Sequence, residues 1–140
     1  MASALVDSGA LVAVFGPDEA DSTARYLGLF EQASRERWSL STTWPCVIEA
    51  SYLVPPPRRY TLLRWIGGGG VSVFPFAQEA LEDFVPLMAR YTLQPRTEMD
   101  LADASLVWLA EQTGVTRIMT TDVRDFSRYR LADGRAFEIL

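Results

Sequence analysis

Short apolar runs of strand length recur along the chain: "SALV", "WSLST", "VSVFPF", "VTRIMTT" and "AFEIL". Helical patterns separate the first four. Strands joined through helices cannot pair as tight hairpins, so the alternation predicts a mostly parallel sheet covered by helices on both faces. In such sheets functional groups gather beyond the carboxyl ends of the strands. Two of the runs end there on an aspartate: Asp7 after "SALV", and Asp122 after "RIMTT".

The 140 residues fit one domain, 1–140, with a sizeable core. A helix over "SGALVAVF" is broken by Gly16-Pro17, and Asp18 is placed to cap the next helix. That helix carries Ala20, Ala24, Leu27 and Phe30 at the spacing of one apolar face. Pro45 suits a first helical turn, and Pro55-Pro56-Pro57 stops that helix. "YTLLRWI" reads as a short helix, and Gly67 to Gly70 as a loop without the lysine of a phosphate cradle. Pro86 predicts a kink or break inside "QEALEDFVPLMARY". "MDLADASLVWLAEQT" reads as a helix with Gly114 as its stop.

The residue types that are missing limit the chemistry. There is no His, Lys or Asn, and all 13 basic residues are Arg. A Ser-His-Asp site, a Walker-type phosphate loop and a His-ligated metal centre are therefore excluded. The single cysteine, Cys46, rules out an internal disulfide and a multi-cysteine zinc site. A net charge of −5 disfavours binding nucleic acid by the whole surface, though not by a local basic patch. No apolar run approaches the roughly 20 residues that span a bilayer. The N-terminal "MASALVDSGA" lacks a basic leader region, so no membrane association and a cytoplasmic location are expected.

The remaining tools are carboxylates, hydroxyls, Arg and a bound ion. Asp7 and Asp122 stand at strand ends. Glu49 lies about one turn into the helix after the second strand, and Asp103 near the start of the helix before "RIMTT", with Asp100 one turn earlier. Each has a plainer role when taken singly. Asp7 and Asp100 can cap helices, Glu49 can serve a helix dipole, and Asp125 suits a solvated turn. Taken together, carboxylates in apolar surroundings need cations. With no Lys or His, the choices are Arg, shared protons or a metal, and an all-oxygen acidic site suits Mg²⁺ or Mn²⁺. Such an ion can activate water for displacement at phosphorus.

The blocks "ALVDSGALVAVF", "VIEASYL" and "MDLADASLVWLAEQTGVTRIMTTDVRDF" resemble the PIN-domain family, in particular the VapC-type toxins of type II toxin–antitoxin pairs. The resemblance runs from residue 4 to about residue 126, and its last block is the most specific. It implies a three-layer α/β/α sandwich around a five-stranded, mostly parallel sheet, and a Mg²⁺- or Mn²⁺-dependent endoribonuclease. Carried over by motif, the catalytic and metal-binding residues are Asp7, Glu49, Asp103 and Asp122. Ser8, Asp100, Thr120 and Asp125 form a second tier, with Thr120 expected to hold a carboxylate or water. Arg124, Arg128 and Arg130 follow the site and are candidates for RNA phosphates. The implied partners are RNA, a small cognate antitoxin and a second copy of the chain. Pro86 and the triple proline depart from the family's pattern and bear on partner geometry, not on the acidic residues.

Two other readings use the same residues: a PIN-domain RNA-processing nuclease outside toxin–antitoxin systems, and a catalytically silent PIN-like binding module. A receiver domain also clusters aspartates on a parallel sheet, but the lysine it requires is absent.

Overall fold

The computed structural model describes residues 2–94 and 97–140, with the side chain of Ala20 left aside. Strand β1 (Ser3–Val6) leads into α1 (Ser8–Phe15) and α2 (Ala20–Arg35); β2 (Ser39–Thr43) leads into α3 (Trp44–Leu53) and α4 (Arg58–Gly67). Then come β3 (Ser72–Phe74), a single 3₁₀ turn at Gln78–Ala80, α5 (Leu81–Tyr91) and α6 (Leu101–Thr113). The chain closes with β4 (Arg117–Met119), the short α7 (Val123–Phe126) and β5 (Glu138–Ile139). The five strands form one sheet in the order β3-β2-β1-β4-β5, and every pairing is parallel. The fold is thus an α/β/α sandwich.

The sheet divides the core in two because successive strand side chains point to opposite faces. On β1, Ala4 and Val6 join Leu11, Ala50 and Leu62 on the face covered by α1 to α4. Leu5 points the other way, to Phe84, Leu106, Phe126 and Tyr129 on the face covered by α5 to α7. Ile118 and Met119 on β4 split in the same manner. With both faces covered, β1 is apolar from Ala4 to Val6, while β2 buries Thr42 and Thr43, whose hydroxyls pair with Val6 O and Ser105 Oγ, both at 2.6 Å.

Three local expectations are revised. Asp18 does not cap α2: the cap position is Glu19, without a side-chain cap bond, and its N–H donates to Thr23 Oγ1 at 3.1 Å. The inner face of α2 is Tyr26 and Ala33, flanked by Leu29 and Phe30, while Ala24 and Leu27 face outward. Phe30 fits either stripe, and the tyrosine's polar tip made the true one harder to see. Ala20, the other member of the expected face, lies outside the described side chains. Pro86 does not break α5, which continues to Tyr91. Pro86 and Glu82 are both exposed, so water can take the carbonyl that the missing N–H leaves free. The other helix signals agree with the structure. Gly114 ends α6 in the left-handed conformation, with φ 74°, and the prolines after Val54 end α3.

The strand order places the functional edge. From β1 the chain leaves to one side, toward β2 and β3, and then crosses to β4 on the other side. The carboxyl end of the β1/β4 pair is therefore the switch point where crevices open in such sheets. One glycine permits close packing there. A Cβ on Gly9 would overlap the Thr121 hydroxyl and lie 3.2 Å from Thr121 Cβ. Gly9→Ala should thus destabilise the fold by roughly 1–3 kcal/mol, as overpacking does. Denaturant unfolding checks this, and the loss should be smaller in a Thr121→Ala background, where the overlapping hydroxyl is gone.

Candidate metal centre

Asp7 follows the last residue of β1, and its N–H continues the sheet by donating to Met119 O at 3.0 Å. Its carboxylate is buried and takes two kinds of donor. Oδ1 accepts the Ser8 N–H at 2.7 Å, which caps α1, and Oδ2 accepts the Thr120 hydroxyl at 2.7 Å. The same hydroxyl accepts the Asp122 N–H at 3.0 Å. Thr120 therefore ties the two strand ends together, and β4 stops at Met119 because the next residues turn into this site. Tyr26 reaches over from α2 and donates its hydroxyl to Thr120 O at 2.6 Å.

Asp122 caps α7, accepting the Asp125 N–H at 3.2 Å. Asp100 caps α6, accepting the Asp103 N–H at 2.8 Å. Asp103 is buried in the first turn of that helix, and Tyr129 donates its hydroxyl to Asp103 Oδ2 at 2.7 Å. Glu49 stands half-buried on α3. Asp7, Asp103 and Asp122 thus each sit at a helix N-terminus, where the backbone dipole favours an anion, although α7 is too short to give much.

These groups meet in one cavity of about 420 Å³. Its carboxylates are Asp7, Glu19, Glu49, Asp100, Asp103 and Asp122, and no basic side chain is among its described lining residues. Ser8 lines it too, beside Asp7. The electrostatic effect is large. Burial, partly offset by Thr120 and Ser8, raises the Asp7 carboxyl from 3.8 to about 6. Burial, with Asp100 and Asp7 nearby, raises Asp103 from 3.8 to about 8. Burial and the neighbouring Asp125 raise Asp122 from 3.8 to about 6. Glu49 is also raised, first by burial and then by Asp100.

Asp125 fits the same centre by one measure and not by another. One oxygen each from Asp103, Asp122 and Asp125 lie within 4.8 Å of one another, yet Asp125 does not line the cavity. We place it at the periphery, because its carboxylate already holds a cation: Arg128 Nε lies 3.2 Å from Asp125 Oδ1.

The three arginines expected to meet RNA have different settings. Arg128 spends its other nitrogens on Tyr91 O and Thr97 O, both at 3.0 Å, and so staples the segment after α7 to the α5–α6 connection. Arg130 folds back onto Ser127 O and Tyr129 O, both at 2.8 Å. Arg124 is exposed on α7. Sequence reasoning missed Tyr26, Tyr129 and Glu19. The tyrosines read as ordinary core aromatics, and their partners lie 94 and 26 residues away.

The donor set fits a hard divalent cation. All the donors are oxygens, most carry charge, and they come from separate elements of the fold. No buried side-chain oxygen or nitrogen among the described residues lacks a partner. The chain matches no family model and no curated protein.

Proposed function

We propose that this chain is a Mg²⁺- or Mn²⁺-dependent endoribonuclease of the PIN-domain kind, acting as the toxin of a VapC-type toxin–antitoxin pair. The observation that carries the reading is the cavity at the β1/β4 switch point, lined by six carboxylates with no basic side chain among its described residues. Burial holds the Asp103 carboxyl at about 8, so among these groups it keeps its proton at neutral pH unless a cation displaces it.

Asp7, Asp103 and Asp122 would hold the ion, with Glu49 across the cavity. A bound divalent ion supplies a water of lowered pKa and neutralises charge at phosphorus. The chain's own residues do the positioning. Thr120 and the Ser8 N–H fix both oxygens of Asp7, so the β1 and β4 ends keep one spacing. Glu49 is half-buried with a raised proton affinity, which suits it to orient the attacking water and accept its proton at a carboxylate oxygen. Arg124 is the arginine of the three best placed to meet a phosphate.

A protein partner is supported by the apolar surface that Ile48 and Tyr52 on α3 share with Leu101 at the start of α6, where they are 64%, 82% and 40% exposed. Apolar side chains displayed together in this way mark interaction surfaces. The antitoxin and a second copy of the chain are the partners proposed for it. No helix among the described residues is long and apolar enough to cross a membrane, and the proposed location is the cytoplasm.

Induced expression in the native host tests the toxin reading. Growth should stop, and co-expression of the adjacent small gene should restore it. Unaffected growth with soluble wild-type protein present would count against a toxin and favour an RNA-processing nuclease or a silent binding module.

A further inference from the structure

Tyr129 has no part in the chemistry outlined above, yet it makes a direct bond to a carboxylate of the centre. Its ring is fully buried and held edge-on between Tyr91 and Phe126, each with its centroid 5.0 Å away. The Arg128 guanidinium lies over it at 5.3 Å. That guanidinium is itself fixed by Asp125, Tyr91 O and Thr97 O. The hydroxyl therefore reaches Asp103 Oδ2 from a rigid platform, at 2.7 Å. Asp103 Oδ1 accepts no hydrogen bond from the described residues. It is also not among buried atoms without a partner, so it has access to solvent, and Asp103 lines the cavity.

We infer that Tyr129 is a positioning residue of the metal centre, whose hydroxyl occupies Asp103 Oδ2 and thereby turns Asp103 Oδ1 toward the ion. This rests on the metal-dependent reading above and adds a residue to it. Outer hydrogen bonds of this kind orient ligands, and their loss weakens metal binding by on the order of tenfold or more. The carboxylate of Asp103 rotates about a single torsion. Without the phenol, nothing else among the described residues selects which oxygen faces the cavity.

The test is calorimetric titration of Mn²⁺ into the full chain as wild type, Tyr129→Phe and Tyr91→Phe. Tyr129→Phe keeps the ring and its packing and removes only the donor. Tyr91→Phe removes a hydroxyl from the same aromatic cluster, one that accepts the Arg130 N–H at 3.0 Å and touches no carboxylate. Tyr129→Phe should bind Mn²⁺ about tenfold more weakly, and Tyr91→Phe should match wild type. In addition, Mg²⁺ added to the wild type should perturb the near-ultraviolet absorbance of a buried tyrosine, and the same addition to Tyr129→Phe should not. Equal Mn²⁺ affinity in Tyr129→Phe and wild type overturns the inference, as does equal weakening in both variants. If Tyr129→Phe does not fold, the wild-type difference spectrum decides, and its absence despite Mn²⁺ binding overturns the inference. A wild type that binds no Mn²⁺ removes the metal reading itself, and this inference with it.

Discussion

Asp103→Asn is expected to lower RNA cleavage by two orders of magnitude or more while leaving the fold intact. The amide has the size of the acid, and its oxygen can still accept the Tyr129 hydroxyl that now bonds Oδ2. What is lost is the negative charge that would hold the ion. A bound divalent ion is worth several kcal/mol of charge stabilisation in the transition state, and losing it corresponds to roughly 10²-fold or more in rate. The stability of the ion-free variant carries its own signature. Asp103 holds its proton up to about pH 8, so at pH 6 the wild-type side chain is already neutral. Asn imitates that neutral acid. Because the unfolded acid already ionises above 3.8 while the folded one does so only near 8, the ion-free melting temperatures of variant and wild type should converge toward pH 4, and the variant should be the more stable from about pH 6 to pH 9. Single-turnover cleavage and thermal melts across that range check both halves. A variant that melts below wild type throughout would make Asp103 a structural residue only.

The ion-free wild type should lose stability as pH rises from about 4 to about 9, and a divalent ion should restore it. The folded-state carboxyls of Asp7 and Asp122 titrate near 6 and that of Asp103 near 8, all from an unfolded value of 3.8. Groups raised on folding bind more protons in the native state between those values. Their stabilising contribution is complete below pH 3.8 and is lost as pH passes through about 6 and then about 8. For the buried Asp7 alone, the difference between 3.8 and about 6 amounts to roughly 3 kcal/mol. That is about 10 °C in melting temperature for a domain of this size. Asp122 is more open to solvent and adds less, because water screens it. An ion that binds only the native state stabilises it by mass action, and it must displace these protons, so its effect should grow with pH. Melts at pH 5 and pH 8, with and without millimolar Mg²⁺, measure this. A melting temperature that rises from pH 5 to pH 8 without ion would contradict the electrostatics of the cavity.

Much of the centre was legible because strand ends and helix starts announce themselves locally. Asp7 and Asp122 follow apolar runs, and Asp100 opens a helix that Gly114 closes. The order of strands and helices was likewise enough to imply a parallel sheet with helices on both faces, and the five strands do pair in parallel. What local pattern could not carry was the direction in which long side chains point. Arg128 sits in a run of charged residues and reads as surface, yet it is turned inward onto two carbonyls and Asp125. Tyr26 and Tyr129 read as core aromatics, and their ring burial agrees, but their hydroxyls serve residues far away in sequence. The face of α2 was misjudged for a related reason. Tyr26 buries a polar tip that finds Thr120 O, so the helix turns a tyrosine inward and Leu27, 42% exposed, outward. Pro86 was overrated as a breaker because its cost depends on whether the freed carbonyl can reach water, which periodicity does not reveal.

The central claim is that the carboxylates of the β1/β4 cavity bind a divalent ion and cleave RNA with it. The most direct measurement is cleavage of a single-stranded RNA by purified wild type and Asp103→Asn, prepared identically, in chelator and in millimolar Mg²⁺ or Mn²⁺. The account predicts cleavage by wild type only when ion is present, and none above background by Asp103→Asn in any condition. Cleavage that persists in chelator, or that Asp103→Asn performs at the wild-type rate, would contradict it.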